Sequence, residues 1–434
     1  MRLLEASENR VSRATIHRRA GSHTYQPVNL PKQKVRTVTQ KQNINFNPNP
    51  GCASNPEILR GNGTRLTVAF YEGNRNVWSY PRTFNHPPSP RYCLCSSETR
   101  YFINVTSEKD PALLKTYDLV FMPQDVGTLR IKDQVWDTIL NSTPSWQRRL
   151  YATWEGPSKI KKLLPSPTYR MKAYHWSLSF HSKSDFSVPY GYYRPYDKKS
   201  QSSRPEVVSG KNWAKGKFRL AAWMSTWKGT SWRRRDFVEG LTQFINIDLY
   251  GRRFQNCTRN SEVCEKRMKE YKFYFAIENS CCSEYITEKF WRTLAWDVVP
   301  VVIGAPKEDY ERLAPPNSFI YADDFKSPHD LAKYLKQLDE NDDLYNKFFQ
   351  WKKVGRVYTN HPEIQQEFAT SCIPPEHSYY SCNVICKVTD RYLEGKEDAT
   401  LFNRKHRYFD PGSPWWTSSC TRCGTHMWIR KYNN

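Results

Sequence analysis

The chain has 434 residues, a formal net charge of +23 and a sequence pI near 9.5. That length accommodates two α/β domains, each with a core of its own. No run approaches the ~20 consecutive apolar residues of a membrane-spanning helix, and Met1 to Arg60 contain no apolar signal-peptide core. The basic charge favours anionic partners, namely phosphate groups, sialylated glycans or nucleic acid, and does not decide among them.

The first 62 residues show no hydrophobic periodicity, and we predict a stem or disordered tail over residues 1–62. Residues 63–192 are predicted to form a first α/β domain. Its predicted extended segments are Leu66–Tyr71, Tyr101–Val105, Asp118–Met122, Tyr151–Trp154 and Ser184–Pro189, with a helix near Lys132–Leu140. The segment Tyr151–Trp154 delivers Glu155 to a Gly-Pro turn.

Residues 193–216 are rich in Lys, Ser and Pro and are predicted to be the interdomain linker. Over residues 217–360 strands and helices alternate regularly, which favours a parallel sheet. The predicted strands are Lys217–Met224, Ile245–Tyr250, Phe273–Ile277 and Val299–Ile303, and the predicted helices are Arg233–Thr242, Cys264–Tyr271, Thr287–Ala295 and Pro328–Leu338. Residues 361–434 are predicted to be a cysteine-rich, irregular tail.

Cysteines and glycosylation sequons both indicate an oxidising compartment. The chain has 12 cysteines, and Asn-X-Ser/Thr sequons occur at Asn62, Asn104, Asn141 and Asn256, with a proline after the Asn141 sequon that weakens it. A zinc site is the competing interpretation, because Cys420-Thr-Arg-Cys423 has ligand spacing and Cys382 and Cys386 would complete a set. Disulfides are favoured, because the sequence has no tight pair of C-x-x-C motifs.

One stretch carries most of the functional information. Residues 273–289 run from an aromatic strand through a polar loop into a helix start, and Val298 to Gly304 form the next strand. In open α/β sheets the carboxyl ends of strands bind ligands, and a helix N-terminus beside Lys289 suits a phosphate-bearing ligand. The alternative is an ordinary βαβ unit with a solvated helix start.

This stretch contains the segments Phe-Ala-Ile-Glu-Asn-Ser, Tyr-Ile-Thr-Glu-Lys and Val-Pro-Val-Val-Ile-Gly. Their sequence resembles the donor-binding signature of α1,3-fucosyltransferases. The resemblance extends from about Arg65 to about Cys386. It implies a GT-B type α/β fold, with two Rossmann-like domains facing across a cleft. It also implies inverting transfer of L-fucose from GDP-β-L-fucose to the 3-hydroxyl of GlcNAc. The acceptor stays open between N-glycan core and lactosamine antenna; the alternatives are direct protein O-fucosylation and an inactive glycan-binding relative.

The resemblance also assigns roles to single residues. Glu155, in Tyr-Ala-Thr-Trp-Glu-Gly-Pro-Ser, matches the family's base, and Arg234 matches its phosphate-binding arginine, with Arg233 and Arg235 one position away. The N-terminal domain is expected to supply the acceptor side and residues 217–360 the GDP-fucose site. The other expected donor-binding residues are Lys289, Glu288, Tyr285, Asn279, Ser225 and Thr226, the last standing where the family has Asn. Glu278 is alternatively a structural hydrogen-bond acceptor.

The sequence contains no Asp-x-Asp, the motif that holds Mn²⁺ in many nucleotide-sugar transferases. We therefore expect no metal site and no required cofactor, with Mn²⁺ at most stimulatory. A nucleic-acid or polyanion-binding protein is the rival from another class, and the absence of a nucleic-acid module disfavours it. Family enzymes are usually anchored in the Golgi by one N-terminal helix, so the chain is expected to be a Golgi-lumen catalytic fragment that lacks its membrane anchor.

Overall fold

The computed structural model describes residues 64–73, 91–95, 101–125, 128–196, 210–225, 230–251, 254–257, 261–359, 382–397 and 408–433. The predicted tail over residues 1–62, including Asn62, lies outside these ranges, and so does Thr226. Within the described ranges no helix is both long enough and apolar enough to cross a membrane.

The first sheet has seven strands in the order β2-β3-β1-β4-β5-β6-β7, and every neighbouring pair is parallel except β2 with β3. Its strands are β1 Thr64–Tyr71, β2 Arg91–Cys95, β3 Tyr101–Glu108, β4 Leu119–Pro123, β5 Arg148–Ala152, β6 Trp176–Ser179 and β7 Phe186–Ser187. The helices along this part of the chain are α1 Asp133–Ser142, α2 Pro157–Ile160 and α3 Pro167–Arg170, with 3-10 turns at Leu114–Thr116 and Lys161–Leu163.

Next along the chain, β8 Gly191–Pro195 pairs antiparallel with β15 Gly355–Thr359. The second sheet has five parallel strands in the order β10-β9-β11-β13-β14. Its strands are β9 Arg219–Met224, β10 Ile247–Tyr250, β11 Tyr271–Ile277, β13 Val299–Ile303 and β14 Ile320–Tyr321. All seven residues of β11 are buried, as expected of a central parallel strand covered on both faces.

The helices along this second part are α4 Arg234–Leu241, α5 Glu262–Lys269, α6 Glu288–Ala295, α7 Lys307–Leu313, α8 Pro328–Asp339 and α9 Asp342–Asn346, with 3-10 segments at Ala322–Asp324 and Lys347–Lys353. The predicted start of α8 is confirmed: the Ser327 hydroxyl accepts from the Asp330 N–H at 3.1 Å, and proline occupies the first helical position. Two α/β units with parallel sheets are thus present, as predicted for a pair of Rossmann-like domains.

The part of the chain beyond residue 360 is not an irregular tail throughout, and that prediction is wrong for Cys382–Glu397, which form helix α10. Ile385, Val388 and Tyr392 of α10 are fully buried in the apolar cluster on one face of the first sheet. This helix therefore completes the core of the N-terminal domain. Its apolar residues recur at helical spacing (385, 388, 392), the signal that the cysteine-rich composition obscured.

The last described residues form the short helices α11 Pro414–Thr417 and α12 Met427–Arg430, and the strand β16 Cys420–Thr421 between them. β16 pairs antiparallel with β12 Cys281–Cys282, a two-residue strand inside the loop between β11 and α6. The end of the chain thus returns to the segment that the sequence singles out as a ligand site.

Candidate active site

The second sheet places its predicted ligand residues where its strand order reverses. Of its strands, β9 comes first in the chain and β10 second, so the order is 2-1-3-4-5, and the reversal lies between β9 and β11. Ligands of doubly wound sheets bind at the carboxyl ends of the two strands that flank such a point. Ser225 follows β9 and Glu278 follows β11. Both predicted positions therefore belong to the expected crevice.

Arg234, the first residue of α4, spans the two strand ends. Its Nη1 donates to the Ile277 carbonyl at 2.9 Å, and its Nη2 donates to the Ser225 hydroxyl at 3.3 Å. The residue is only 5% exposed, and its Nε has no hydrogen-bond partner in the described part of the chain. Burial lowers the pKa of Arg234, while the neighbouring Glu278 carboxylate raises it. A partly satisfied buried guanidinium of this kind is well placed to bind an anion.

Glu278 is fully buried and acts as a hydrogen-bond acceptor inside the protein, the structural alternative considered for it. Its carboxylate accepts from the backbone N–H and the hydroxyl of Thr287, each at 2.8 Å, and from Lys289 Nζ at 2.9 Å. Gly304 makes room for it, because a Cβ there would stand 2.6 Å from the Glu278 Cγ. Glu278 therefore fixes the first turn of α6.

Lys289 lies in that first turn, with its side chain 16% exposed. Its Nζ is held by Glu278 and by the Thr287 hydroxyl at 2.6 Å, and the Glu288 carboxylate lies 3.5 Å away. The lysine is thus fixed in place at the start of a helix, where the positive end of the helix dipole adds to its charge. The Lys289–Glu278 ion pair is the feature that the sequence alone did not predict.

Glu155 stands beyond the carboxyl end of β5, in the N-terminal domain, and faces the loop of the C-terminal domain. Its Oε2 accepts from Asn279 Nδ2 at 3.3 Å and from the Tyr285 hydroxyl at 3.2 Å. Two residues predicted for the donor site therefore hold the carboxylate predicted to be the base. Tyr285 is only 2% exposed, and its ring packs on Phe180 with 5.0 Å between ring centroids.

The surroundings of Glu155 raise the pKa of its carboxyl above the ordinary value of 4.5. Burial is the largest cause. The hydrogen bond from Asn279, the charge of Lys289 and the hydrogen bond from Tyr285 act in the opposite direction and lower the pKa, while Glu288 raises it. A carboxylate whose pKa is raised towards neutrality is a stronger base than an ordinary surface glutamate.

Several residues that position Glu155 were missed by sequence reasoning. Asp125 Oδ1 accepts from the Trp154 N–H at 3.0 Å, and the Thr153 hydroxyl accepts from the Glu155 N–H at 3.1 Å, so both hold the turn. The Tyr190 hydroxyl donates to the Trp154 carbonyl at 2.6 Å. The contacts of Asp125 and Tyr190 join residues 29 and 36 positions apart in the chain, which no local sequence pattern predicts.

Lys159 is a further charged group near this carboxylate. It lies in α2, the short helix that follows the Glu155 turn, and is half-buried. Burial lowers its pKa to about 8, while the charge of Glu155 raises it and that of Arg234 lowers it. Next to it, the Ser158 hydroxyl bonds the Ser280 hydroxyl at 3.0 Å and so links the two domains. The spacing of four residues between Glu155 and Lys159 is the only sequence signal that could have identified Lys159.

The cysteines of the site form disulfides, as predicted over zinc. Cys281 is bonded to Cys423 and Cys282 to Cys420, and a third bridge joins Cys257 to Cys264. The residues that the structure describes contain no group of three or more His, Cys, Asp or Glu side chains arranged to hold a metal ion. The C-x-x-C spacing at the end of the chain therefore serves two bridges to adjacent cysteines in the active-site loop.

Three predicted glycosylation sites lie in described parts of the chain and differ in access. Asn141, near the end of α1, and Asn256, beside Cys257, are exposed. Asn104 lies within β3, between β1 and β2, and its Oδ1 and the Thr106 hydroxyl are both enclosed. Asn104 is half-buried, less accessible than the other two sequons, and its glycosylation stays a prediction.

The chain also matches known proteins. A family model described as Glycosyltransferase family 10 (fucosyltransferase) C-term matches residues 214–394. The gorilla 4-galactosyl-N-acetylglucosaminide 3-alpha-L-fucosyltransferase FUT5 is 32% identical over 293 residues, which cover 64% of this chain and 70% of that protein. This chain belongs to glycosyltransferase family 10. The residues predicted to bind the donor all lie within the matched range of this family 10 member, whereas Glu155 precedes it.

For two other relatives of this family 10 member, the match covers a smaller share of the relative's length. The human 4-galactosyl-N-acetylglucosaminide 3-alpha-L-fucosyltransferase FUT5 is 35% identical over 232 residues, 51% of this chain and 58% of the human protein. The Drosophila melanogaster glycoprotein 3-alpha-L-fucosyltransferase A is 33% identical over 264 residues, 59% of this chain and 45% of that protein. The chain thus spans about half of the length of these two relatives.

Two solved structures are also similar. A crystal structure of an alpha1,3-fucosyltransferase with GDP-fucose aligns with a TM-score of 0.42 at 16% identity, covering 67% of this chain and 83% of the other. A crystal structure of an alpha1,3-fucosyltransferase aligns with a TM-score of 0.47 at 16% identity, covering 80% and 94%.

Proposed function

We propose that this protein transfers L-fucose from GDP-β-L-fucose, with inversion, to the 3-hydroxyl of a GlcNAc residue in a glycan on protein or lipid. The observation that carries the proposal is the contact of Glu155 with Asn279 and Tyr285. It brings the predicted base of one domain against the predicted donor loop of the other. Family membership supports the same reaction, since the similar proteins are named as 3-alpha-L-fucosyltransferases.

In this mechanism the Glu155 carboxylate removes the proton of the acceptor hydroxyl as the oxygen attacks the anomeric carbon. The bond from that carbon to the diphosphate breaks through an oxocarbenium-like transition state, and GDP leaves with the electron pair. Arg234 and Lys289 stabilise the negative charge that develops on the diphosphate. Glu288 accepts from ribose or fucose hydroxyls. Ser225 fixes the Arg234 guanidinium, which makes its role indirect.

These cations make a metal ion unnecessary for the departure of GDP. Arg234 and Lys289 bring two cationic side chains to the site, and Lys289 lies in the first turn of α6, at the positive end of the helix dipole. We therefore propose that the enzyme needs no cofactor and that Mn²⁺ at most stimulates it. The chain has no Asp-x-Asp motif to hold such an ion.

The acceptor is proposed to be a lactosamine antenna or the GlcNAc of an N-glycan core. The name of the similar human protein specifies 4-galactosyl-N-acetylglucosaminide, and the name of the similar Drosophila protein specifies glycoprotein. The disulfides found among the described cysteines and the exposed Asn141 and Asn256 sequons support the Golgi lumen as the place of action.

The test is incubation with GDP-fucose and a panel of lactosamine, sialylated lactosamine and core N-glycopeptides, read by mass spectrometry with and without EDTA. We expect one added fucose on one acceptor class and no loss of rate in EDTA. Loss of activity that Mn²⁺ restores would overturn the metal-independent mechanism. GDP binding without transfer to any glycan would favour protein O-fucosylation or an inactive glycan-binding relative.

The pH dependence follows from the raised pKa of Glu155. The base acts only when deprotonated, so kcat/KM should fall as the pH drops through that pKa, and the acid limb should lie above pH 4.5. The measurement is kcat/KM for the acceptor across the pH range in which the protein stays folded, checked by circular dichroism. A rate that stays constant down to the ordinary glutamate range would contradict the assignment of Glu155.

A further inference from the structure

The last described residues, 408–433, form a segment that we name the C-terminal strap. It lies beyond residue 394, where the match to the family model ends. The strap contacts three separate parts of the molecule: the N-terminal domain, the loop between β11 and α6, and the start of α4.

On the N-terminal domain, Phe409 and Tyr174 form an isolated antiparallel bridge, in which the Phe409 N–H donates to the Tyr174 carbonyl at 3.0 Å. Arg170 forms an ion pair with Asp410 at 2.8 Å. Trp416 is 1% exposed and packs against Phe180, with 5.8 Å between their rings. Since Phe180 also contacts the Tyr285 ring, the strap supports the tyrosine that holds Glu155.

On the active-site loop, the strap is joined covalently. The bridges Cys281–Cys423 and Cys282–Cys420 lie side by side, and the Ser283 N–H donates to the Ser419 carbonyl at 2.8 Å. All of these contacts fall between Asn279 and Tyr285, the two residues that bond the Glu155 carboxylate.

At the start of α4, the strap holds the residue before Arg234. The Arg233 N–H donates to the Tyr432 carbonyl at 2.8 Å, and the Arg233 Nη2 donates to the Lys431 carbonyl at 2.9 Å. The last part of the strap is held to its cysteine-bearing part, since the Cys423 N–H donates to Asn433 Oδ1 at 2.7 Å. One segment thus fixes both the loop and the helix start that form the candidate site.

Two adjacent bridges join the strap to the loop. A bridge that closes a loop of 142 residues removes much of the freedom of the unfolded chain. Once it has formed, the second bridge joins positions one and three residues away from those already linked, so it closes a very small additional loop and adds little more of this entropic stabilisation. We therefore assign the second bridge a local effect, which is to restrict further the orientation of residues 281 and 282 relative to the strap.

We propose that the strap and its two disulfides are positioning elements of the transfer reaction, which hold Asn279 and Tyr285 in bonding distance of Glu155 and keep Arg234 aimed at the donor. This inference rests on the proposed function. The four cysteines act through these neighbours and do not touch the reacting atoms.

The experiment compares three double variants: C281S/C423S, C282S/C420S and, as the matched control, C257S/C264S, which removes a bridge at the start of α5. For the first two we expect KM for GDP-fucose to rise by roughly tenfold, the loss of one charged hydrogen bond, and kcat to fall. Because the Asn279 and Tyr285 hydrogen bonds lower the pKa of Glu155, their loss should move the acid limb of kcat/KM to higher pH. The control should keep KM for GDP-fucose, kcat and the acid limb at wild-type values.

If a strap variant does not fold, the C257S/C264S protein is reduced stepwise with dithiothreitol under native conditions, and released thiols are counted by alkylation and mass spectrometry. We expect donor KM and the acid limb to change in step with the strap thiols. Folded protein with reduced strap bridges, wild-type donor KM and an unmoved acid limb would overturn the inference. The proposed function fails separately, if the oxidised wild-type protein transfers no fucose.

Discussion

Replacing Glu155 by glutamine is expected to abolish fucosyl transfer while GDP-fucose still binds. Glutamine keeps the size and a hydrogen-bonding oxygen for Asn279 and Tyr285, so the loop should stay in place. It cannot remove a proton, and the loss of a general base costs about 100- to 10,000-fold in rate. The measurement is kcat with the responding acceptor, alongside calorimetric titration with GDP-fucose. Near-normal turnover would remove Glu155 as the base.

The same variant should be more stable than the wild type at pH 7. Because folding raises the pKa of Glu155, the folded state binds the proton more tightly than the unfolded state. The free energy of unfolding therefore falls as the pH rises from 4.5 through the folded pKa, and glutamine removes this cost. The melting temperatures of the wild type and the Glu155→Gln variant should differ at pH 7 and converge near pH 4. Glu239→Gln, at an exposed position on α4, is the control for both measurements and should change neither.

Replacing Lys289 by alanine is expected to weaken GDP binding by about 1.5–3 kcal/mol, the contribution of a hydrogen bond to a charged group. The structure adds a second effect. Glu278 is fully buried, and without Lys289 its carboxylate loses the cation that is bonded to it, which costs about 3–5 kcal/mol of stability for a broken buried pair. GDP titration and thermal melting measure the two effects, and Lys333→Ala on the exposed face of α8 is the control.

The double variant Glu278→Gln with Lys289→Ala separates these two effects. Without a buried charge to leave unpaired, it should melt above the Lys289→Ala protein. Its affinity for GDP should stay as weak as in the single variant, because the cation is still missing. Recovery of GDP affinity in the double variant would show that Lys289 acts only by holding Glu278, and it would count against direct contact with the phosphates.

Much of the donor side was predictable because its residues lie close together in the chain. Lys289 and Glu288 fall in one helix turn after a strongly apolar strand, a pattern that periodicity and capping rules read locally. Ser225 and Arg234 flank the β9–α4 connection in the same way. Their chemistry follows from residue type and position at a strand end.

The features that could be predicted from the sequence are therefore local: two alternations of strand and helix, the residues at the strand ends, and a preference for disulfides over zinc. Which of these residues meet became clear only from the folded protein. Glu155 and Tyr285 are 130 positions apart, and Cys281 and Cys423 are 142 apart, yet each pair is in contact. The structure also assigned α10 to the N-terminal core and Lys289 to an ion pair with Glu278. Such pairings depend on how whole elements pack against one another, and no local pattern encodes that packing.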